Sequence, residues 1–469
     1  MEAEFIKNPP RAYEVHKGDF SREFVEKISS EQDEPQWMRA RRLDAYKRYQ
    51  SLPMPHITSD DVWRRSTGMS TQDYWRRTAR NMRGLKLEDY QPVSLVPNGK
   101  LMPSDPVSPN TRVAQVKSNG ASGVIALHDG RVVEHALSKE LVRKGVYFAD
   151  INTALQERPD FVRSYFMTKA VTVDWNSFDA LHGAFWQGGF LLHVPKDVVV
   201  EIPMRVFITL AEAHRADLAH SIIVADDSSR ITIVEEQLSA DAATPGLHCG
   251  AVEIFVGRNA QVNYAQVQRW NHQVWNFSSQ RAIVDRDAEL HWITGALGSR
   301  LSKLNQVSVL EGAGCRVDML GLTFTHARQH IDIHTYQEHK APHTTSDLLY
   351  KSVLKNQSQT VWSGMIYVHP EGQHTDAYQK NDNLVLNKRA HADTIPGLEI
   401  KANEVRCTHG ATAGSIDREQ VFYLMSRGLS YDQAEKMIVA GFFEPAMGRI
   451  PLESVRKQLQ QSVTDKLAV

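Results

Sequence analysis

The sequence predicts a mainly β protein in which a parallel β-helix core lies between two α-helical regions. The spacing of hydrophobic residues is helical near the N-terminus, changes to alternation over residues 111–413, and becomes helical again over residues 414–469. In the middle region, turns rich in Gly, Asp, Asn and Ala recur roughly every 25 to 30 residues, within the range of stacked repeat folds; examples are Gly257–Ala260, Asp285–Ala288 and Glu311–Gly314. A sandwich or a propeller would also contain many short strands, but a sandwich usually closes in far fewer residues.

Residues 1–110 are predicted to form a helical region followed by a linker. Ser21 is placed to cap a first helix, and Pro35 suits the first turn of a second one. The basic residues between Arg39 and Arg48 are interpreted as the solvated face of that second helix. Residues 56–110 are polar and show little periodicity, so we interpret them as a linker with short helical pieces.

Residues 414–469 are predicted to be helical. Two capping boxes are predicted, one from Asp417 to Gln420 and one from Ser430 to Gln433, and Gly428 is placed to end the helix between them. The last helix carries an apolar stripe, made of Val455, Leu459, Val463 and Leu467. Such a stripe must pack on something, and we expect it to pack on the body of the protein rather than on another chain.

The composition argues against several classes of function. Among 469 residues, 54 Lys and Arg stand against 55 Asp and Glu, and the net charge of -1 gives no reason to expect nucleic acid or a membrane surface as a partner. No apolar run has the length of a membrane span, and the opening MEAEFIKNPP lacks the pattern of a secretion signal. We therefore expect a cytoplasmic protein.

The sequence also lacks the motifs of common nucleotide and disulfide sites. Its three cysteines, Cys249, Cys315 and Cys407, are widely spaced and form no CxxC pair, which argues against a disulfide framework and a zinc finger. No GxxxxGK[ST] loop occurs, so we expect this chain to bind no nucleotide. Any ATP hydrolysis would then belong to a partner, and we expect no enzymatic activity in this chain.

Two stretches carry candidate metal ligands. In VRCTHGAT, Cys407 and His409 lie two positions apart, so on a strand they would share one face. An adjacent imidazolium would favour the Cys407 thiolate, the form that binds iron; the alternative is a buried, purely structural cysteine. The row His330, Asp332 and His334 would also share one face, and it either holds a divalent metal or forms hydrogen bonds between neighbouring coils.

Several long motifs resemble the SufB/SufD family of iron-sulfur cluster assembly proteins. They are EPQWMRARRLDAYKRYQSLPMP, GAFWQGGFLLHVPKDVVVEIP, PHTTSDLLYKSVLKNQSQTVWSGMIYV, LVLNKRAHADTIPGLEIKANEVRCTHGATAG and REQVFYLMSRGLS, which occur in the order of the family. The resemblance spans most of the chain. It implies a right-handed parallel β-helix, and a complex in which SufB and SufD pair through their β-helices while an ABC-type ATPase, SufC, docks on each C-terminal helical region.

Within the family, the chain resembles SufD more than SufB. SufB-type chains carry a cysteine in the preceding strand and a His-Glu-Ala-Thr motif at the site, whereas this chain has Gln379–Asp382 and His409–Thr412 there. The resemblance leads us to expect that Cys407 and His409 bind iron or a transient Fe-S cluster at the interface with a SufB-like partner. A SufB-like scaffold that acts as a homodimer remains an alternative.

A surface for the ATPase is expected in the C-terminal region. The residues expected to dock it are Phe422, Tyr423, Met425, Arg427, Gly428, Leu429 and Met437, although core packing is an alternative for them.

Two functions of other classes also stay open. A β-helix enzyme acting on carbohydrate would need a groove with clustered carboxylates, and a hydrolase with Cys407 as nucleophile would need an oxyanion hole.

Overall fold

Two long β-sheets, stacked coil upon coil, form the body of the protein. The structure is a computed structural model that describes residues 20–52, 54, 76–82, 84–92 and 121–468. The first sheet contains β1 (Gln91–Pro92), β4 (Tyr147–Asp150), β5 (Gly189–Val194), β7 (Arg215–Asp217), β8 (His220–Ala225), β10 (Gly246–Val256), β12 (Val274–Val284), β14 (Leu301–Leu310), β16 (His330–His339), β18 (Gln359–Val368) and β20 (His391–Ile400). The second sheet contains β2 (Gly123–His128), β3 (Arg131–Leu137), β6 (Met204–Leu210), β9 (Arg230–Ser239), β11 (Gln261–Arg269), β13 (Glu289–Ala296), β15 (Arg316–Thr325), β17 (Thr345–Leu354), β19 (Asp376–Val385) and β21 (Arg406–Ser415).

The strand order identifies a parallel β-helix. In space the first sheet runs β20, β18, β16, β14, β12, β10, β8, β5 and β4, and the second runs β21, β19, β17, β15, β13, β11, β9, β6, β2 and β3. From β8 onward, consecutive strands alternate between the sheets and pair in parallel with the coils before and after them; all ten residues of β16, for example, pair with both β14 and β18. The result is a stack of about eight coils, which confirms the predicted fold class.

The predicted turns join the strands of successive coils. Asn259, Asp287, Gly314 and Asn356 have φ angles of 56°, 56°, 74° and 63°, in the left-handed region that Gly, Asn and Asp tolerate best. Between the sheets, inward-facing residues such as Trp292 form one continuous apolar core. The turn residues therefore made the repeat visible in the sequence.

Helices cover the outer face of the first sheet. They are α1 (Arg22–Glu31), α2 (Gln36–Ser51), α3 (Arg76–Asn81), a 3₁₀ turn (Leu87–Asp89), α5 (Ile151–Glu157), α6 (Pro159–Tyr165) and α7 (Ser177–Phe185). Helix α4 (Lys139–Arg143) instead packs Leu141 into the core between the sheets. Ser21 caps α1 as predicted, because its side chain accepts a hydrogen bond from the N–H of Phe24. Helices α1, α2 and α7 share an apolar cluster with the first sheet. Most of the predicted linker, residues 56–110, lies outside the described residues.

The four helices α4 to α7 lie in the region that the sequence pattern assigns to the β-helix, so that part of the interpretation is wrong. Helix α7 shows the reason, because all nine of its residues are buried. Its polar residues Ser177, Asp179 and His182 are buried as well, so α7 has no exposed polar face from which a helical period could be recognised in the sequence. Its N-cap, Asn176, which accepts hydrogen bonds from the N–H groups of Phe178 and Asp179, was the available signal.

Arg42 corrects the interpretation of the basic run on α2 as a solvated face. Its guanidinium is buried 2.6 Å from the Glu34 carboxylate, and it donates hydrogen bonds to the carbonyl oxygens of Ala184 and Trp186. Arg42 follows Met38 by four residues, so helical geometry places it on the buried face of α2. Charge alone was a misleading guide to exposure at this position.

The C-terminal helices α8 (Arg418–Ser426), α9 (Tyr431–Met447) and α10 (Glu453–Ala468) cover the outer face of the second sheet. The apolar stripe of α10 is buried in this contact, which confirms that it packs on the body of the protein. Ser430 forms the predicted capping box with Gln433, whereas at Asp417 the structure gives only the side-chain cap, which accepts hydrogen bonds from the N–H groups of Glu419 and Gln420. Strand β21 ends at Ser415, one residue beyond the predicted start of this region. In the described part of the chain, no helix combines the length and the apolar content that crossing a membrane requires.

We predict that Arg42→Ala lowers the free energy of unfolding by about 3–5 kcal/mol, because it leaves the buried Glu34 carboxylate without its cation. Denaturant unfolding of the full chain measures this loss. Arg39→Ala is the matched control, since the Arg39 side chain is 56% exposed and its ion pair spans 4.0 Å, so its loss should stay below about 1 kcal/mol. Equal losses in the two variants would contradict the importance of the buried pair.

Candidate functional site

The last coil of the β-helix is open on one side. Strands β20 and β21 end their sheets, so each has one neighbouring strand among the described residues. No residue of β20 or β21 is buried, although both are regular strands of ten residues. Apart from Pro396 of β20, which has no N–H, the backbone groups along these edges are thus available for pairing with another chain.

The structure places Cys407 and His409 on one face of β21, at this open end. Cys407 pairs with Ala377 of β19, and His409 pairs with Gln379. Ala377 and Gln379 are buried between the sheets, so the side chains of Cys407 and His409 turn toward the same interior, at its exposed mouth. Cys407 is half-buried against the cluster that contains Ile366, and His409 is exposed.

His409 and Cys407 form no complete metal site by themselves. Within the described residues, the His409 ring has no hydrogen bond or ion pair, and no group of three or more His, Cys, Asp and Glu side chains comes together in a way that could hold a metal ion. One sulfur and one imidazole nitrogen are two ligands, whereas an iron-sulfur cluster usually takes four from its protein. Further ligands would have to come from outside the described chain.

The Cys407 thiol corrects one expectation from the sequence. Burial, followed by the negative charge of Asp376, raises the pKa of Cys407 to about 11, against a smaller lowering by the backbone N–H of Ala377. The expected activation of a thiolate by His409 is therefore wrong for the chain on its own. At neutral pH the Cys407 sulfur keeps its proton, and a metal that binds it must displace that proton.

The predicted row of His330, Asp332 and His334 belongs to a buried polar network. The Nζ of Lys303 lies 2.7 Å from an oxygen of Asp332, and the Nε2 of His334 lies 3.1 Å from the other oxygen. Burial lowers the pKa values of His330 and His334 to about 4, so both rings are neutral at pH 7. A metal role for this row stays a prediction; in the structure, its side chains form structural contacts.

His330 and Asp332 hold helix α3 against the first sheet. The hydroxyl of Thr78 donates a hydrogen bond to Asp332 and lies 3.2 Å from the Nε2 of His330. The amide of Asn81 donates to the Nδ1 of His330 at 3.0 Å and to Gln359. These contacts join a short helix from the N-terminal region to the middle of the β-helix.

The expected docking residues lie on the surface of α8, α9 and the turn between them. Phe422, Tyr423, Met425 and Met437 have exposed fractions of 73%, 55%, 43% and 58%, so core packing does not account for them. Gly428 ends α8 with a φ of 95°, Arg427 lies over the ring of Tyr423, and Leu429 is half-buried. We call Phe422, Tyr423, Met425, Tyr431 and Met437 the apolar patch. Sequence reasoning missed Tyr431, because its place directly after the cap Ser430 marks a helix start and says nothing about exposure.

We predict that Cys407 is the thiol that alkylates first, and that its rate rises about tenfold per pH unit up to about pH 10 without a plateau near pH 7, because only the thiolate reacts. Cys249 and Cys315 are buried, and burial raises the pKa of both, that of Cys315 to about 12. Peptide mass spectrometry after brief iodoacetamide treatment measures the rate at each site. A plateau below pH 8 at Cys407 would contradict the raised pKa, and Cys407→Ser gives the background.

Comparison with known proteins agrees with this architecture. Residues 207–442 match the family model described as "SUF system FeS cluster assembly, SufBD core domain", and residues 117–206 match "SufBD protein N-terminal region". Proteins described as "Iron-sulfur cluster assembly SufBD family protein" are 31% identical in Staphylococcus epidermidis and 30% identical in Staphylococcus saprophyticus, each over 431 residues. A Staphylococcus aureus relative of the same description is 29% identical over 429 residues. In each comparison the match covers 92% of this chain and 89% of the relative. The chain belongs to the SufBD family of iron-sulfur cluster assembly proteins.

Proposed function

We propose that this chain is a SufD-like subunit of a SUF complex, which pairs with a SufB-like chain, docks a SufC-like ATPase, and helps to build and transfer nascent Fe-S clusters. The observation that carries the proposal is the open last coil, with Cys407 and His409 facing the mouth of the β-helix. In this role, iron and sulfide are the cargo of the assembly reaction. The raised pKa of Cys407 also argues against the alternative of a hydrolase with an activated thiolate.

The edges of the last coil suit a partner that is itself a β-helix. Proteins usually protect a strand edge with Lys, Pro, a bulge or a covering helix. Strand β21 contains neither Lys nor Pro and pairs with β19 without a bulge along its ten residues. Ile395 and Ile400 of β20 are large apolar side chains exposed at the same end. Strand β20 does contain a Pro, Pro396, so β21 is the better edge for backbone pairing, and a second β-helix that pairs with β21 could also cover Ile395 and Ile400.

The side chains around His409 favour the SufD-like role. Residues Gln379–Asp382 occupy the stretch where SufB-type chains carry a cysteine; here the Gln379 amide is buried and donates a hydrogen bond to the carbonyl oxygen of Gly397 across the coil, at 2.9 Å. This chain therefore offers one thiol, Cys407, near the mouth. In the proposed complex, the SufB-like chain supplies the remaining ligands, and sharing between two chains would leave the cluster loose enough to pass on.

A homodimer is the second candidate for this end of the molecule. Two copies that pair through β21 would bring two Cys407 sulfurs and two His409 rings to one interface, and two Cys with two His can ligate a [2Fe–2S] cluster. Copurification of the tagged chain from its own cells separates the candidates. Recovery of a SufB-like and a SufC-like protein supports the heteromeric complex, and recovery of the chain alone at twice its mass supports the homodimer.

We predict that His409→Ala lowers the iron and acid-labile sulfide of the co-expressed complex while the complex stays assembled. The ring is exposed and unbonded within the described chain, so its loss should change the free energy of unfolding by less than about 0.5 kcal/mol. Iron and sulfide per complex, with size-exclusion chromatography, measure both effects. Thr408→Ala is the matched control, because Thr408 is exposed on the opposite face of the same strand. An unaltered iron and sulfide content in His409→Ala would remove His409 from the mechanism.

The apolar patch supports docking of the ATPase on the C-terminal helices. Phe422, Tyr423 and Met437 are large side chains that stay exposed while the other side of α8 and α9 packs on the second sheet. Aromatic and Met residues of this kind are enriched at protein interfaces. Deleting the helices would be a poor test, because it would uncover the apolar outer face of the second sheet.

We predict that Phe422→Ala combined with Met437→Ala weakens ATPase binding about tenfold or more, because interface energy concentrates in a few large side chains. Both residues are more than half exposed, so the variant should fold normally. Titration calorimetry with the full chain and the purified ATPase measures the affinity. Val142→Ala, which removes an exposed apolar side chain from α4 outside the patch, is the control. Unchanged affinity in the double variant would exclude the patch as the docking surface.

A further inference from the structure

A groove of about 430 Å³ lies beside the apolar patch, where the corner of the β-helix meets α8 and α9. Its apolar walls include Leu386 and Ile416 from the chain segments that follow β19 and β21, and Phe422, Met425 and Tyr431 from the helical region. We call this cavity the corner groove. It is therefore built jointly by the last coils of the β-helix and by the C-terminal helices.

The charged residues that line the corner groove are both cations. Lys388 and Arg418 line it, and among the described residues no acidic side chain does so. Both cations are exposed, and neither has an ion-pair partner in the described part of the chain. Asp417 and Glu419, the acidic neighbours of Arg418 in sequence, do not line the cavity. Two free cations beside an apolar cavity attract a group that is both acidic and apolar.

We infer that the corner groove receives an acidic, apolar segment of the docked ATPase, in which a large apolar side chain enters the cavity and flanking carboxylates pair with Lys388 and Arg418. The inference rests on the proposed docking function and specifies the chemistry of the partner's contact surface. A small acidic ligand fits less well, because it would fill the cavity and leave Tyr423 and Met437, which lie outside it, uncovered. A protein surface can cover the groove and the patch together.

Charge reversal in the groove tests the inference. Lys388→Glu combined with Arg418→Glu should weaken binding of the purified ATPase about tenfold or more at low salt, because like charges would then face each other. The wild-type affinity should fall as salt is added, and the variant should lose most of that dependence. The fold should be unaffected, since both side chains are exposed and an acidic residue suits the first position of α8.

Arg389→Glu is the matched control, because Arg389 is an exposed cation next to Lys388 that does not line the groove. Its effect should stay below about twofold, as expected for a charge at an interface rim. A complementary test replaces surface carboxylates of the ATPase by Lys, one at a time. At least one replacement should restore binding to the variant with Lys388→Glu and Arg418→Glu.

The outcomes separate this inference from the proposed function. If charge reversal leaves the affinity unchanged while Phe422→Ala with Met437→Ala weakens it, the ATPase docks at the apolar patch as proposed, but the inference of an acidic segment in the corner groove is wrong. If neither variant changes the affinity, or the wild-type chain does not bind the ATPase, docking at this surface fails and the inference fails with it. If Arg389→Glu weakens binding as much as the groove variant, the attraction is a general charge effect and the groove assignment is overturned.

Discussion

Backbone hydrogen bonding between neighbouring coils is the constraint on which the rest of the structure depends. An interior strand such as β16 pairs along its whole length on both sides, so its backbone N–H and C=O groups are already hydrogen-bonded and cannot pair with another chain. At the N-terminal end of the first sheet, the edge strand β4 has four residues and helix α5 packs against it, which limits access. The C-terminal end keeps the ten-residue edge of β21 open, and that of β20 except at Pro396, which has no N–H; at the N-terminal end of the second sheet, β3 is an edge strand of seven residues. Among the described residues, the longest free edges of the two sheets therefore lie at the coil that carries Cys407 and His409.

The position of that coil also determines the chemistry of its thiol. Cys407 faces inward like the buried residues of the coil before it, and this partial burial is the main reason why its pKa is raised. A protonated thiol reacts slowly with electrophiles and oxidants, so burial protects the sulfur. In the proposed function, iron that binds Cys407 would displace this proton and would lie at the mouth, between the sheets and a partner. The location of one strand therefore determines both the packing of Cys407 and the reactivity of its thiol.

The sequence predicted the features that depend on local rules. Turns with left-handed Asn, Asp and Gly fixed the repeat, capping residues such as Ser430 fixed the helix starts, and alternation placed Cys407 and His409 on one face. It could not predict features that arise from contacts between distant segments. Arg42 is buried because Glu34 and carbonyl groups at the end of α7 surround it, and α7 itself is buried on all sides. The raised pKa of Cys407 likewise depends on the packing of neighbouring coils, which no local pattern reports.

The corner groove and the candidate cluster ligands are connected by a single strand. Strand β21 carries His409 near its start and leads directly into Ser415 and Ile416, which line the groove. At about 3.3 Å per residue, His409 and Ser415 are roughly 20 Å apart along this strand. A paired strand is a stiff element, whereas a loop would absorb a displacement. In the proposed complex, a SufB-like chain paired along β21 and an ATPase seated in the groove would hold the same strand at two places. Movement of the ATPase would then act on the cluster site through the shortest covalent path that the fold provides.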